Sequence, residues 1–330
     1  MVNLQTQFLK FHNTIKIDFD DNQPLRDKKD LIINNLKSGL KKHIPINTPT
    51  FTPFIQGSYG LATGVEPLPE EDYDIDVGII FNFSKNDYTP VAIKYWVCAA
   101  LSRGPRTVEI KKPCVRVQYH LNNEKRFHID LAIYSRDKDN FGIETNHIAK
   151  GLIDSPKDKK IWEPSEPGKL KELLKSKCTD SSDREQFRRI IRYLKRWKDY
   201  NFSSTGTERP TGIALTACCY QLFEAEKYYD YNSYLPQYND LRALLNVVSG
   251  IIRMFLNNQI VKLPVQPHNN LFEKMTDIQM ELMKTKLLIL ESTLAEALEE
   301  PFIKNTFSIF YACKSLRKVF GNDFPLDLGY

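Results

Sequence analysis

Three aspartates at alternate positions, Asp72, Asp74 and Asp76, lie in the run FIQGSYGLATGVEPLPEEDYDIDVGIIFNF (residues 54–83). In a strand, side chains alternate between faces, so Tyr73, Ile75, Val77 and Ile79 can meet a core while the acids project together from the other side. Carboxylates crowded on one rigid face repel each other, and a divalent cation with hard-oxygen preference, such as Mg²⁺, relieves the repulsion. A solvated strand edge would suit any one of these acids. Three in alternation after Gly57-Ser58 point instead to a metal-ligand set. A further acid, Asp130, sits in RFHIDLAIY (residues 126–134), where Phe127, Ile129, Leu131 and Ile133 share one face and His128, Asp130, Ala132 and Tyr134 the other. An acid in so apolar a strand needs a partner. Pairing beside the Asp74/Asp76 strand would complete a three-carboxylate cluster; a salt bridge at the open face of a sheet would also satisfy it. His128 reads as a structural or surface histidine and is assigned no role.

These residues need strands to carry them. The pattern predicts one around Thr52–Gln56, a helical turn over 59–64, a second strand over 73–83, and others over Val108–Tyr119 and Arg126–Tyr134. Amphipathic or buried helices are expected over 3–14, 24–43 and 91–101, with Pro45, Pro49 and Pro53 punctuating the approach to the first strand. The mixture indicates an α+β lobe. DSPKDKKIWEPSEPGK (154–169) reads as a linker, and beyond it the chain is mainly helical. In DREQFRRIIRYLKRWKDY (183–200), Phe187, Ile190, Ile191, Leu194 and Trp197 share a helical face, with Asp183 as cap. Arg188, Arg192 and Lys195 border that stripe, either as a solvated basic flank or with Lys195 at the edge of a cleft. A turn-rich loop, NFSSTGTERP, precedes a buried helix, TGIALTACCYQLF. Helices are expected over 238–258, 271–298 and 308–320, the first two separated by KLPVQPHNNL, before a loose or docked tail, GNDFPLDLGY. Two units follow, 1–165 and 166–330.

Composition bounds the rest. At 330 residues the chain exceeds the usual size of a single core. Hydrophobic residues at 42% and charged residues at 26% describe a soluble globular protein, and no apolar run is long enough for a membrane helix. The start, MVNLQTQFLKFHN, lacks the basic-then-apolar pattern of a secretory signal. Six scattered cysteines fit neither a disulfide framework nor C-x-x-C zinc spacing and suggest a reducing cytoplasm. A net charge of +5 suits phosphate-bearing ligands without by itself requiring a nucleic-acid groove.

Gly57-Ser58, then Asp74-x-Asp76, then Asp130 resemble the nucleotidyltransferase signature of the polymerase-beta-like superfamily. The QGSY turn with its long loop to YDIDVGI, the helix IIRYLKRWK and the LPVQPHNNL loop resemble one branch of it. That branch holds the 2′-5′-oligoadenylate synthases, animal cyclic GMP-AMP synthase and the bacterial cyclic oligonucleotide synthases (CD-NTases). The likeness covers residues 50 to 275. The gap from Ser58 to Asp74 is longer than the commonest spacing, which Asp72 would fit better; Asp74 and Asp76 are preferred because Val77 and Ile79 continue the strand.

The resemblance implies a polymerase-beta-like lobe with a mixed central sheet, a C-terminal helical lobe and an active site in the cleft between them. It implies two Mg²⁺ ions, with Mn²⁺ able to substitute, bridged by Asp74 and Asp76, with Asp130 on the catalytic ion and near the attacking ribose hydroxyl. Gly57 and Ser58 would bind the β/γ-phosphates, Gln56 would brace their turn, Lys195 would contact the triphosphate, and Thr211 lies near the donor nucleotide. The implied product, made from ATP and/or GTP, is a cyclic oligonucleotide, above all a cyclic dinucleotide such as cyclic GMP-AMP. Its implied use is as a second messenger in cytoplasmic antiphage (CBASS) signalling. A non-cyclising oligoadenylate synthase-like, RNA or small-molecule transferase is the alternative, and an inactive nucleic-acid-binding scaffold a second one. The pair Cys218-Cys219 has no nearby His or third Cys, so the zinc insertion of animal cyclic GMP-AMP synthase is not expected, nor a nucleic-acid activator that depends on it. The C-terminal tail is a place for a regulatory protein partner. No membrane is involved.

Overall fold

The chain begins with two helices, α1 (Gln5–Ile15) and α2 (Gln23–His43), before its first strand, β1 (Phe51–Ile55). This computed structural model describes residues 4–326 except 19, 21, 45, 70, 105, 120–126, 204–208, 231–233 and 300–305. A one-turn helix α3 (Gly57–Gly60) leads through a loop to β2 (Tyr73–Phe81), then α4 (Pro90–Leu101), β3 (Arg106–Ile110), β4 (Val115–Tyr119), β5 (Phe127–Lys138), β6 (Glu144–Ala149) and β7 (Trp162–Pro164). Strand order is β1-β2-β5-β4-β3, with β6 on β5 and β7 on β6. β2 and β5 run parallel and the other pairs antiparallel, so the sheet is mixed.

Alternation decides which face is covered. Ile75, Val77 and Ile79 of β2 and Ile129, Leu131 and Ile133 of β5 are fully buried, in one core with Ile32 and Leu36 of α2 and Ile93 and Val97 of α4. The even-numbered positions between them face the other way, away from the two helices. The expected single strand over 108–119 is two strands, because Pro113 has no N–H to donate to a ladder and Lys111 N bonds back to Cys114 O (2.9 Å). Buried Lys94 ties that turn down, donating to Lys111 O (2.9 Å), Lys112 O (3.0 Å) and Gly151 O. Burial lowers its pKa to about 8. The expected linker at 154–169 contains β7, which lengthens the sheet through β6. Arg126 of the expected fourth strand lies outside the described residues.

The second core surrounds α6 (Ser181–Asn201), which follows α5 (Pro167–Ser176). Around it pack α7 (Gly212–Leu222), α8 (Asp240–Leu256), α9 (Asp277–Glu299) and α10 (Thr306–Phe320); a hairpin, β8 (Lys227–Asp230) and β9 (Leu235–Tyr238), precedes α8. Helix α1 also packs here, its Phe11 stacked on Tyr193 and its Phe8 edge-on to Phe324. The tail is therefore docked as far as residue 326, and Asp323 meets Arg196 at 3.1 Å. Residues 327–330 lie outside the described residues.

Two helix starts differ from expectation. α6 is capped by Asp180, whose Oδ1 accepts from Ser182 N (2.8 Å) and Asp183 N (3.0 Å), while Asp183 is taken by Tyr238 and Lys227. α9 begins at Asp277 rather than 271, because Thr276 and Gln279 form a capping box: each side chain accepts from the other's backbone N–H. Among the described residues, no helix is long and apolar enough to cross a membrane.

Candidate active site

The parallel register of β2 on β5 places Asp74 opposite His128 and Asp76 opposite Asp130, all on the uncovered face of the sheet. His128 Nε2 lies 3.0 Å from Asp74 Oδ1. One donor atom each from Asp74, His128 and Asp130 falls within 4.8 Å of the others. On the far side of β5, the antiparallel register of β4 sets Arg116 opposite Asp130. Its guanidinium grips both carboxylate oxygens, Nε to Oδ1 and Nη2 to Oδ2, each at 2.7 Å.

Asp76 is enclosed between the Gly57 turn and Asp130. Burial, and then the Asp74 and Asp130 carboxylates beside it, push its carboxyl well above the usual range, with Lys195 and Arg116 opposing the shift. Positive charge must come close for this group to ionise, and the oxygen-rich donor set fits a divalent cation. Asp72 stands before β2 begins and does not line the cleft.

The turn after β1 is pressed against Asp76. Gly57 has φ +60°, and a Cβ there would fall 1.9 Å from Asp76 Oδ2, so only glycine lets the backbone approach this carboxylate. Gln56 N donates to Asp76 O (3.1 Å), which fixes the turn to β2. The Gln56 side chain accepts from Tyr134 Oη (2.9 Å) and lines a neighbouring cavity instead of the cleft.

A cleft of about 340 Å³ opens between the sheet and the helical core, lined among others by Gly57, Ser58, Asp74, Asp76, Lys195 and Thr211. Asp130 is not among its lining residues and lies on the next strand beside Asp76. Lys195 Nζ donates to Thr63 O (3.0 Å) and Thr63 Oγ1 (2.9 Å). Burial, reinforced by Lys198 and Arg192, lowers its pKa to about 7. Thr211 is the N-cap of α7, its Oγ1 accepting from Ala214 N (3.3 Å), and so it brings the first turn of that helix to the cleft wall.

The basic flank of α6 is not solvated as a whole. Arg188 pairs with neighbouring Glu185 at 2.5 Å, but Arg192 and Arg196 are buried. Arg192 Nε donates to Gly64 O (3.1 Å) and Arg196 Nη2 to Glu66 O (2.6 Å), flanking the Lys195 bond to Thr63. Three basic side chains within one turn of α6 thus bind three carbonyls of the segment joining α3 to β2. Arg116 and Thr63 carry no signal that the sequence reading could use, and His128, expected to be a structural or surface histidine, lies against Asp74. The alternation of VRVQY (115–119) does place Arg116 on a polar face, but which strand neighbours it is not written locally.

A family model described as cyclic GMP-AMP synthase DncV-like, nucleotidyltransferase domain, matches residues 49–134, the segment that carries the turn and all three acids. The cyclic GMP-AMP synthase of Escherichia albertii is 22% identical over 200 residues, 57% of this chain and 40% of that protein, so the chain matches less than half of that relative's length. The c-di-GMP synthase of Roseivirga ehrenbergii is 22% identical over 287 residues, 81% of this chain and 72% of the relative. The crystal structure of Vibrio cholerae DncV cyclic AMP-GMP synthase superposes with a TM-score of 0.73 at 17% identity, covering 98% of this chain and 97% of that one. The shared architecture is the polymerase-beta-like nucleotidyltransferase fold with a C-terminal helical lobe. Domain, relatives and fold agree in their likeness: residues 49–134 resemble the nucleotidyltransferase domain of DncV-like cyclic GMP-AMP synthases, and the whole chain shares the DncV fold.

Proposed function

We propose that the chain is a divalent-metal-dependent synthase that joins ATP and/or GTP into a cyclic dinucleotide. The observation that carries this reading is the β2/β5 register, which sets Asp74, Asp76 and Asp130 on one face beside the Gly57-Ser58 turn. The relatives support it by name, as synthases of cyclic GMP-AMP and of c-di-GMP. Solved DncV structures support it too, one with nonhydrolyzable GTP and one with the linear intermediate pppA(3′,5′)pG.

In this reading Ser58 and the amides of the Gly57 turn hold the β- and γ-phosphates, and Lys195 turns from Thr63 to the triphosphate. Asp74, Asp76 and Asp130 would hold two divalent cations, Mg²⁺ or Mn²⁺, which when bound stabilise the attacking and leaving oxygens of an in-line displacement. Asp130 accepts the proton of the attacking ribose hydroxyl through a lone pair that the Arg116 fork leaves free. The ribose oxygen bonds to the α-phosphorus, the bond from that phosphorus to the β-phosphate bridging oxygen breaks, and pyrophosphate leaves. The linear product keeps a 5′-triphosphate, which the same turn and lysine present for a second displacement that closes the ring. Use of the product as a messenger in antiphage defence is proposed from the resemblance alone.

Lys195 makes substrate binding pH-dependent. With its pKa lowered to about 7, the amine is neutral in the nucleotide-free protein at higher pH. A triphosphate binds the ammonium form, so binding above pH 7 takes up a proton. Affinity for a nonhydrolysable NTP is expected to fall between pH 7 and 9 by up to about tenfold per unit. Calorimetric titration in two buffers of different ionisation heat checks this, and Lys195→Met is expected to flatten the profile.

The function itself is tested with labelled NTPs and Mg²⁺ or Mn²⁺, followed by phosphatase and mass spectrometry. A phosphatase-resistant dinucleotide is expected. A ladder of phosphatase-sensitive oligomers would favour the non-cyclising transferase. No turnover with either metal would sink the enzyme reading.

A further inference from the structure

We propose that His128 is the positioning residue for Asp74, holding one carboxylate oxygen so that the other is presented to a divalent cation. This rests on the reading of Asp74, Asp76 and Asp130 as the ligand set. Each acid has a different neighbour constraining it. Asp130 lies in the Arg116 fork, and Asp76 is packed against the Gly57 backbone. Asp74 is the exposed one, its side chain 52% accessible. The ladder between β1 and β2 covers only Val77 to Phe81, so at Asp74 the described strand partner is β5 alone. The residue that β5 offers there is His128, whose ring is only 14% exposed and places Nε2 3.0 Å from Asp74 Oδ1. A carboxylate turns easily about its last torsion. A ring fixed by burial donating to Oδ1 restrains that rotation and leaves Oδ2 for a cation, at a residue that lines the cleft.

Partners behind a metal ligand commonly change metal affinity by about 10–100-fold. The experiment uses the full chain without nucleotide and Mn²⁺ as probe, with free ion counted by electron paramagnetic resonance. His128→Leu is expected to raise the Mn²⁺ dissociation constant about tenfold or more. His128→Gln, whose amide can donate to the same oxygen, is expected to restore most of the affinity, and it keeps the test decisive if the leucine variant does not fold. Pulsed spectra of bound Mn²⁺ are expected to lack the coupling of a directly ligated imidazole nitrogen.

A leucine variant that folds and binds within twofold of the parent overturns the proposal. So does a glutamine variant as weak as leucine, or a directly ligated nitrogen that His128→Gln removes. Asp74→Asn separates the two levels: loss of Mn²⁺ binding there, with His128 variants unaffected, removes His128 alone. Unchanged binding in Asp74→Asn, or no binding by the parent chain, removes the ligand set as well.

Discussion

Asp76→Asn is expected to abolish nucleotide joining and to raise the melting temperature in the same molecule. Metal-borne charge stabilisation is worth several kcal/mol in the transition state, so pyrophosphate release should fall by about 10³-fold or more. The stability gain follows from what surrounds the carboxyl: burial first, then Asp74 and Asp130, all of which disfavour its charge. Its folded pKa lies above the ordinary 3.8, so as pH rises past that value the unfolded chain gives up its proton before the folded one does, and the folded state loses stability. An asparagine escapes that loss. The gain should therefore be present at neutral pH and fade as pH falls toward 3.8, well below which Asp76 is neutral in both states. Scanning calorimetry without metal should show the variant melting about one to two degrees higher, for about 1 kcal/mol. Added Mn²⁺ should raise the melting temperature of the parent and not of the variant. A variant that melts lower at neutral pH would mean that Asp76 is already compensated.

Gly57→Ala is expected to lose activity by at least about 10²-fold without losing the fold, at a cost to stability of about 1–2 kcal/mol for a side chain at φ +60°. The added Cβ would meet Asp76 Oδ2 at 1.9 Å, and both backbone and carboxylate are functional parts in the proposed mechanism. Relief comes from swinging the carboxylate aside or lifting the turn off β2, and either spoils the site. Urea unfolding and a pyrophosphate assay on one preparation separate the two effects. An active Gly57→Ala enzyme would mean that the turn does not approach the phosphates as proposed.

How much of this was legible in the sequence divides by range. The alternation in YDIDVGI and FHIDLAI fixed both strands and the side on which Asp74, Asp76 and Asp130 stand, because a strand's period is a local property. That Asp130 lies beside Asp76 is not local: β5 enters the sheet next to β2 after α4, β3 and β4 have intervened. Arg116 was missed for the same reason. The flank of α6 was read on the assumption that one face of a helix is buried. Here Arg189, Arg192, Lys195 and Arg196 are buried as well, each paired with a group far away in the sequence, such as Asp240 on Arg189 at 2.6 Å. The Thr276-x-x-Gln279 box, by contrast, was written in the sequence and went unread, which is why α9 was begun six residues early. Strands β6 to β9 are short and carry little alternation of apolar residues to betray them.

The grip of α6 on the carbonyls of Thr63, Gly64 and Glu66 has a kinetic consequence. Prising the two halves apart would strand the buried Arg192 and Arg196 guanidiniums, so these two contacts are expected to keep the slot's width even when Lys195 turns to a bound triphosphate. In the proposed two-step synthesis, a half-made product would have to turn end for end in that slot. Turnover is then expected to be paced by that reversal and not by jaws closing on the substrate.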